Sequence, residues 1–275
     1  MKKPKYFKTP QGREIAYHQT FGKGIGIVFL GGFKSDMEGT KAIFLENWAI
    51  NNNRPFIRFD YSGHGESSEK FIDGCIGDWK QDALELINAL TEEPQILIGS
   101  SMGGWISLLL CREIPKKVCG MLGIAAAPDF TEDSMWTSFS DVQKESLSKN
   151  GYIELPSEYD DPYLITKKLI EDGRDQLVLK SPLELSFPCR FLQGTADVDV
   201  DISVALRLIN HVSGSDIRLT LVKDADHRFS NQDNLRLICK TIHSVTKAIE
   251  NCLLYTSDAA DDTPCVDLGG RRIIK

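Results

Sequence analysis

Short apolar runs alternate along this chain with stretches in which apolar residues recur every three or four positions. The segments Ile25 to Leu30, Pro55 to Asp60, Pro94 to Ile98, Gly120 to Ala125, Cys189 to Gln193 and Ile217 to Val222 read as strands, Ile25 to Leu30 and Pro94 to Ile98 as buried ones. Helical spacing is found over Lys41 to Ile50, at Trp79, Ala83, Leu84, Leu86, Ile87 and Leu90, over Gly103 to Leu110, and over Leu235 to Ile249. Gly12 to Gln19, opened by the turn Thr9-Pro10-Gln11-Gly12, reads as an early antiparallel strand. Strands that alternate with helices predict an α/β fold: a mostly parallel central sheet with helices on both faces.

Two segments break the rhythm. Residues 128–183 are richer in charge and aromatic rings, with two short helical patterns and the loop Pro156 to Pro162. An excursion of this length after one strand is read as a small helical lid over the carboxyl end of the sheet. From Cys252 onward the chain changes character again. Cys252-Leu253-Leu254-Tyr255-Thr256-Ser257-Asp258 and the residues after it resemble translated sequencing adapter. The folded domain is therefore expected over residues 1–251, with 252–275 set apart as an adapter-derived tail that replaces the native C-terminus.

Composition narrows the function classes. A length of 275 residues with 41% hydrophobic content suits one large α/β domain. The net charge of −7 and a pI near 5.3 argue against a polyanion-binding surface, so nucleic acid is not an expected partner. No run of eighteen apolar residues occurs, so no membrane span is expected. The basic stretch Met1 to Lys8 lacks the apolar core of a secretory signal. Seven cysteines without tight spacing imply free thiols and a reducing compartment, a bacterial cytoplasm being the expected setting. Oligomeric state has no signal in the sequence.

The chemistry concentrates at Gly99-Ser100-Ser101-Met102-Gly103, directly after the apolar run that ends at Ile98. Small residues flanking one serine at a strand-to-helix junction allow a strained turn that lifts its hydroxyl above the sheet. A serine hydroxyl is a weak nucleophile at neutral pH and needs a base, and the base needs an orienting acid. Of the five histidines, only His227 follows the last predicted strand; His18 falls in a strand, His64 in a turn, His211 near a loop and His243 in a helix. The acid is sought after the strand ending at Gln193, where Asp197, Asp199 and Asp201 crowd together. The spacing Gly194 to Asp197 to Val200 favours Asp197, with Asp199 as runner-up. An oxyanion formed at Ser101 needs two backbone N–H donors, expected from Met102 and from Phe33 in the loop after the strand ending at Leu30.

These residues together resemble the α/β-hydrolase superfamily over residues 10–250. Asp60-Tyr61-Ser62-Gly63-His64-Gly65-Glu66-Ser67 is similar to its D-x-x-G-H-G-x-S loop. Gly32-Phe33-Lys34-Ser35-Asp36-Met37-Glu38-Gly39-Thr40-Lys41-Ala42 and Asp226-His227-Arg228 resemble segments of the branch that holds a mitochondrial acyl-protein depalmitoylase, which also cleaves acyl glucuronides, and its bacterial relatives. Gly31 and Gln193 depart from the branch, where many relatives carry histidine.

The resemblance implies an α/β-hydrolase fold and a serine esterase or thioesterase acting through an acyl-enzyme. Ser101 is the expected nucleophile, His227 the base and Asp197 the orienting acid, with no metal or organic cofactor. The expected partner is a small-molecule or acyl-protein substrate. Trp105, Trp136, Phe139 and Tyr163 are candidate walls of an acyl pocket. The alternative reading is amide or peptide hydrolysis, with an amine site among Glu132, Asp133, Glu158, Asp160 and Asp161. A non-catalytic binding module on the same fold is a further reading.

Overall fold

The structure, a computed structural model, describes residues 3–155 and 163–261, with side chains as far as residue 251. The chain opens with β1 (Lys5–Lys8) and β2 (Glu14–Thr20), an antiparallel pair. There follow β3 (Gly26–Leu30), α1 (Thr40–Asn51), β4 (Phe56–Phe59), α2 (Ile76–Leu90), β5 (Gln95–Ser100), α3 (Met102–Glu113) and β6 (Val118–Ile124). After β6 come α4 (Asp141–Asn150), β7 (Tyr152–Leu155), β8 (Tyr163–Thr166), α5 (Lys167–Asp175) and β9 (Leu183–Glu184). The chain then returns to the sheet with β10 (Cys189–Gly194), α6 (Ile202–His211), β11 (Val212–Ser213), β12 (Ile217–Val222) and α7 (Gln232–Asp261).

Eight strands make the central sheet in the order β1-β2-β4-β3-β5-β6-β10-β12. From β4 to β12 the pairs are parallel, and β1 and β2 add an antiparallel edge. Successive side chains on a strand face opposite ways, and the two cores show it. Ile27, Phe29, Ile96, Ile98, Leu122 and Ile124 pack with Leu45 and Ala49 of α1 and Ile238, Ile242 and Val245 of α7. Val28, Leu30, Leu97 and Met121 face the other way, onto Trp79 and Leu86 of α2, Ile106 and Leu110 of α3, and Leu208 of α6. Each such side chain removed from water contributes about 2 kcal/mol, so the continuous apolar strands follow from burial on both faces.

Connections switch side at β3 and β5. The helix after β3 lies on one face and the helix after β5 on the other. Such a switch opens a crevice at the carboxyl ends of the strands, where ligands bind in sheets of this kind. Ser101, Phe33, Asp197 and His227 all follow strand ends on that side.

Several elements differ from the sequence reading. Strand β1 lies in a basic segment assigned no element. Residues 202–211 form a helix, so His211 ends α6 instead of lying near a loop. Asp201, counted among the possible acids, caps that helix by accepting the Ser203 N–H at 2.8 Å. The segment 128–183 holds two helices, as read, but also a π-helical turn over Thr131–Trp136 and the β7–β8 hairpin. The loop 156–162 lies outside the described residues. The last helix runs past Ile249 to Asp261, while 262–275 lie outside the described residues. Among the described residues no helix is long and apolar enough to cross a membrane.

Candidate active site

The turn between β5 and α3 is strained in the way its sequence requires. Ser101 has φ 54° and ψ −117°, a backbone region that costs a non-glycine residue about 1–3 kcal/mol. Surrounding hydrogen bonds hold it there. The Ser101 N–H donates to the Ile124 carbonyl at 2.9 Å, and its own carbonyl accepts from Gly104 at 2.9 Å and Ala127 at 3.1 Å. Glycine is needed at Gly103, where a Cβ would stand 2.1 Å from the Leu30 carbonyl oxygen, and at Gly99, where it would stand 2.2 Å from that of Gly103. The sequence pattern is thus a record of how closely β3, β5 and α3 approach one another.

Three of the side chains singled out in the sequence form one chain of hydrogen bonds. His227 Nε2 lies 3.1 Å from Ser101 Oγ, and His227 Nδ1 lies 2.9 Å from Asp197 Oδ2. The Asp197 side chain is fully buried, at 0% exposure, yet well supplied with donors. Its Oδ1 accepts the N–H groups of Asp199 at 3.0 Å and Val200 at 2.8 Å, and its Oδ2 also accepts from Gln193 Nε2 at 2.9 Å. Burial opposes its charge, but the His227, Val200 and Gln193 hydrogen bonds outweigh that and hold the carboxyl below its usual range. Asp199 is exposed and contributes its backbone N–H to Asp197. Asp197, Asp199 and His227 each have a ligand atom within 4.8 Å of the others, but those of Asp197 and His227 are already joined to each other.

The loop after β3 passes directly over the serine. A Cβ at Gly32 would lie 3.4 Å from Ser101 Cβ. Phe33 follows within a turn closed by the Ser35 N–H on the Gly32 carbonyl at 3.1 Å, and its ring meets Phe71, Trp79 and Phe130 edge-on. Met102 opens α3, where first-turn N–H groups lack intrahelical acceptors. Two buried groups given no role at the site by the sequence brace the far end of the loop. Asp60 accepts the Met37 N–H at 2.6 Å and the Glu66 N–H at 2.9 Å, while Arg58 donates to the Met37 carbonyl at 2.6 Å. Burial raises the Asp60 carboxyl to about 6, against those two N–H donors. Lys41, which opens a predicted helix and stands in the segment shared with the hydrolase branch, reaches back to the Arg228 carbonyl beside His227. Burial brings its ammonium down to about 8, against the attraction of Asp226.

Comparison with known proteins agrees with this architecture. Residues 27–156 match the family described as serine aminopeptidase, S33. The chain is 34% identical to the mitochondrial palmitoyl-protein thioesterase ABHD10 of Rattus norvegicus, over 86% of this chain and 80% of that one. The mouse α/β-hydrolase domain-containing protein 10 superposes with a TM-score of 0.82 at 30% identity, covering 89% of this chain and 98% of the mouse chain. The chain belongs to the ABHD10 family of α/β hydrolases. A putative hydrolase from Agrobacterium vitis S4 is also similar, with 38% identity and a TM-score of 0.85 over 88% of this chain and 98% of that one.

The cavity at Ser101 measures about 1210 Å³ and is walled by both the strand-end loops and the segment after β6. Phe130, Met135, Leu155, Tyr163 and Ile165 supply apolar walls, and Lys34, Lys41, Asp133, Asp199, Asp201 and Arg207 polar ones. Of the four aromatic residues proposed as walls, Tyr163 lines the cavity. Trp105 and Phe139 are buried in the core instead, Trp105 donating its Nε1 hydrogen to the Gln176 carbonyl at 3.0 Å. Trp136 carries Arg174 over its ring at 4.5 Å and Lys144 at 5.3 Å. An aromatic residue in sequence carries no mark that separates pocket from packing.

Proposed function

We propose that Ser101, His227 and Asp197 form the catalytic triad of a serine hydrolase that cleaves carboxylic esters or acyl thioesters through an acyl-enzyme. The observation that carries this reading is the continuous hydrogen-bonded chain, 3.1 Å from His227 to Ser101 and 2.9 Å from His227 to Asp197, at a strained elbow. In this reading His227 takes the Ser101 proton as Oγ attacks the acyl carbonyl. Asp197 fixes the tautomer in which Nδ1 carries hydrogen, and the N–H groups of Phe33 and Met102 receive the oxyanion. His227 returns the proton to the leaving group, and a water molecule repeats the sequence to release the acid. Residues 128–183 act as the lid.

A thioester fits the site because a thiolate leaves with little protonation, and because apolar walls and polar groups line one cavity with Ser101. The related thioesterase is named for palmitoyl-protein, and we extend the acyl-thioester class to this chain. Amide hydrolysis has less support. Glu132 is paired with Arg174 and Asp133 with Arg207, while 158–161 lie outside the described residues. The free thiols at Cys75, Cys111, Cys119, Cys189 and Cys239 support a reducing compartment, which we take to be the cytoplasm.

The test is turnover of matched p-nitrophenyl esters and acyl thioesters from C2 to C16 by the wild-type chain and Ser101→Ala. The triad reading expects at least a ~10³-fold loss of kcat in the variant, with thioesters preferred by the wild type. Equal turnover by the two proteins excludes Ser101 as the nucleophile.

A further inference from the structure

Gln193 is 1% exposed and lies at the end of β10, four residues before the acid of the proposed triad. Its Nε2 donates to Asp197 Oδ2 at 2.9 Å and to the Val200 carbonyl at 3.0 Å, with the Gly194 carbonyl at 3.4 Å. All three neighbours are acceptors, so the orientation of the amide is determined: the NH2 group must face them. Its Oε1 is left buried without a hydrogen-bond partner. An orphaned carbonyl oxygen is costly, and it is tolerated here at the atom opposite the donor that reaches Asp197. The oxygen that Gln193 contacts is the one that holds His227.

We propose that Gln193 is a positioning residue for the acid–base pair, acting through Asp197. Its two N–H groups bridge Asp197 Oδ2 to the Val200 carbonyl, while the Val200 N–H closes on Asp197 Oδ1 at 2.8 Å. The carboxylate is thereby clamped between the strand end and the start of α6, with one oxygen directed at His227 Nδ1. An uncharged amide does this at every working pH. This inference rests on the triad reading.

The experiment compares the wild-type chain, Ser101→Ala, Gln193→Met and Gln193→Glu in one thioester assay from pH 5 to 9, with folding checked by thermal melting. Gln193→Met preserves length and removes the donor. It is expected to lower kcat about tenfold with KM within about twofold, the loss of one hydrogen bond to a charged group. The acid limb of kcat/KM is expected to move up by about half a pH unit, because a carboxylate with one donor fewer keeps more of its negative charge for His227 Nδ1 and holds the protonated base more firmly. Gln193→Glu keeps a donor only while its own carboxyl is protonated, so its activity declines as pH rises through the range where wild type gains. If Gln193→Met does not fold, Gln193→Glu decides by the same profile.

Wild-type pH limbs in the folded variants, or a loss of kcat uniform across pH, overturn the inference, since packing alone moves no limb. An active Ser101→Ala removes the triad reading itself. An inactive Ser101→Ala beside Gln193 variants with the wild-type profile removes only the role of Gln193.

Discussion

The strand-end loops and the segment inserted after β6 enclose the same cavity from opposite sides, and they are held by different means. On the sheet side, each candidate catalytic group stands within a few residues of a strand end, and the turn at Ser101 is fixed by backbone hydrogen bonds and by glycine contacts that tolerate no Cβ. On the inserted side the fastening is uneven. Its base is welded down: Asp129, buried at φ 58°, accepts the N–H groups of Val178 at 2.8 Å and Leu179 at 2.9 Å. Asp172 of α5 accepts the Gly77 N–H at 2.7 Å, and Lys168 pairs with Asp78 at 2.6 Å. Its outer part, α4 with the β7–β8 hairpin, buries one residue of α4, Leu147, and two of the hairpin, Ile153 and Ile165. Chemistry is assigned to the rigid side, and the face toward the substrate is built from the side with fewer ties. In such an arrangement the pocket can change shape without disturbing the proposed triad.

The largest expected effect lies at the weld. Asp129→Ala leaves two buried N–H groups without acceptors and is expected to cost about 3 kcal/mol, measured by urea unfolding. Asp129→Asn tolerates the left-handed backbone and keeps one acceptor oxygen, so it should cost about half as much. Equal, small losses in both variants would make the base of the insertion as loosely tied as its outer part and erase the contrast.

A second effect separates the two sides by pH. His64, beneath the loop that carries Phe33, is buried, and its pKa is lowered by that burial to about 4. Its contribution to stability is therefore complete above its ordinary 6.5 and lost as pH falls towards 4, roughly 3 kcal/mol in all. Asp60, raised to about 6, acts oppositely: its contribution is complete below 3.8 and lost as pH rises through 6. The two nearly offset each other between pH 6.5 and 4. In His64→Asn only the Asp60 contribution remains, so the variant should gain on wild type by roughly 3 kcal/mol as pH falls from 7 to 4. Parallel unfolding curves for the two proteins would contradict it.

The smallest effect is expected where the two sides meet. The Lys34 ammonium lies 4.3 Å from the centroid of the Tyr163 ring and 5.3 Å from that of Phe71, linking the loop after β3 to the hairpin. Such a contact is worth about 0.5–1 kcal/mol. Lys34→Met should accordingly raise KM for long acyl chains two- to fivefold, with little change for acetyl esters. A uniform change across chain lengths would place Lys34 outside the link.

The same contrast explains how much could be read from sequence. Strands such as Gly26–Leu30 announce themselves by unbroken apolar runs, because burial on both faces requires them. The elbow is legible because steric contacts at Gly99 and Gly103 admit glycine alone, and the order of Ser101, Asp197 and His227 follows from the order of the strand ends. The hairpin gave no such signal, since its strands are four residues each and only half buried. Helix α6 carries an ambiguous signal, because Asp201, which caps it, stands in a run of aspartates that includes Asp197 and Asp199 and is by type equally a candidate acid. Asp60 acts on Met37 across 23 residues, and no local spacing reveals such a contact. Gln193 stood out as a departure from the branch, but its hydrogen bonds became visible only in three dimensions.

The most direct test of the central claim is covalent. The chain is treated with a fluorophosphonate, which phosphonylates an activated serine, and the adduct is located by peptide mass spectrometry. The account predicts a single adduct on Ser101, formed at least ~10²-fold more slowly in His227→Ala. An adduct on another serine, or labelling of Ser101 at the same rate without His227, would contradict it.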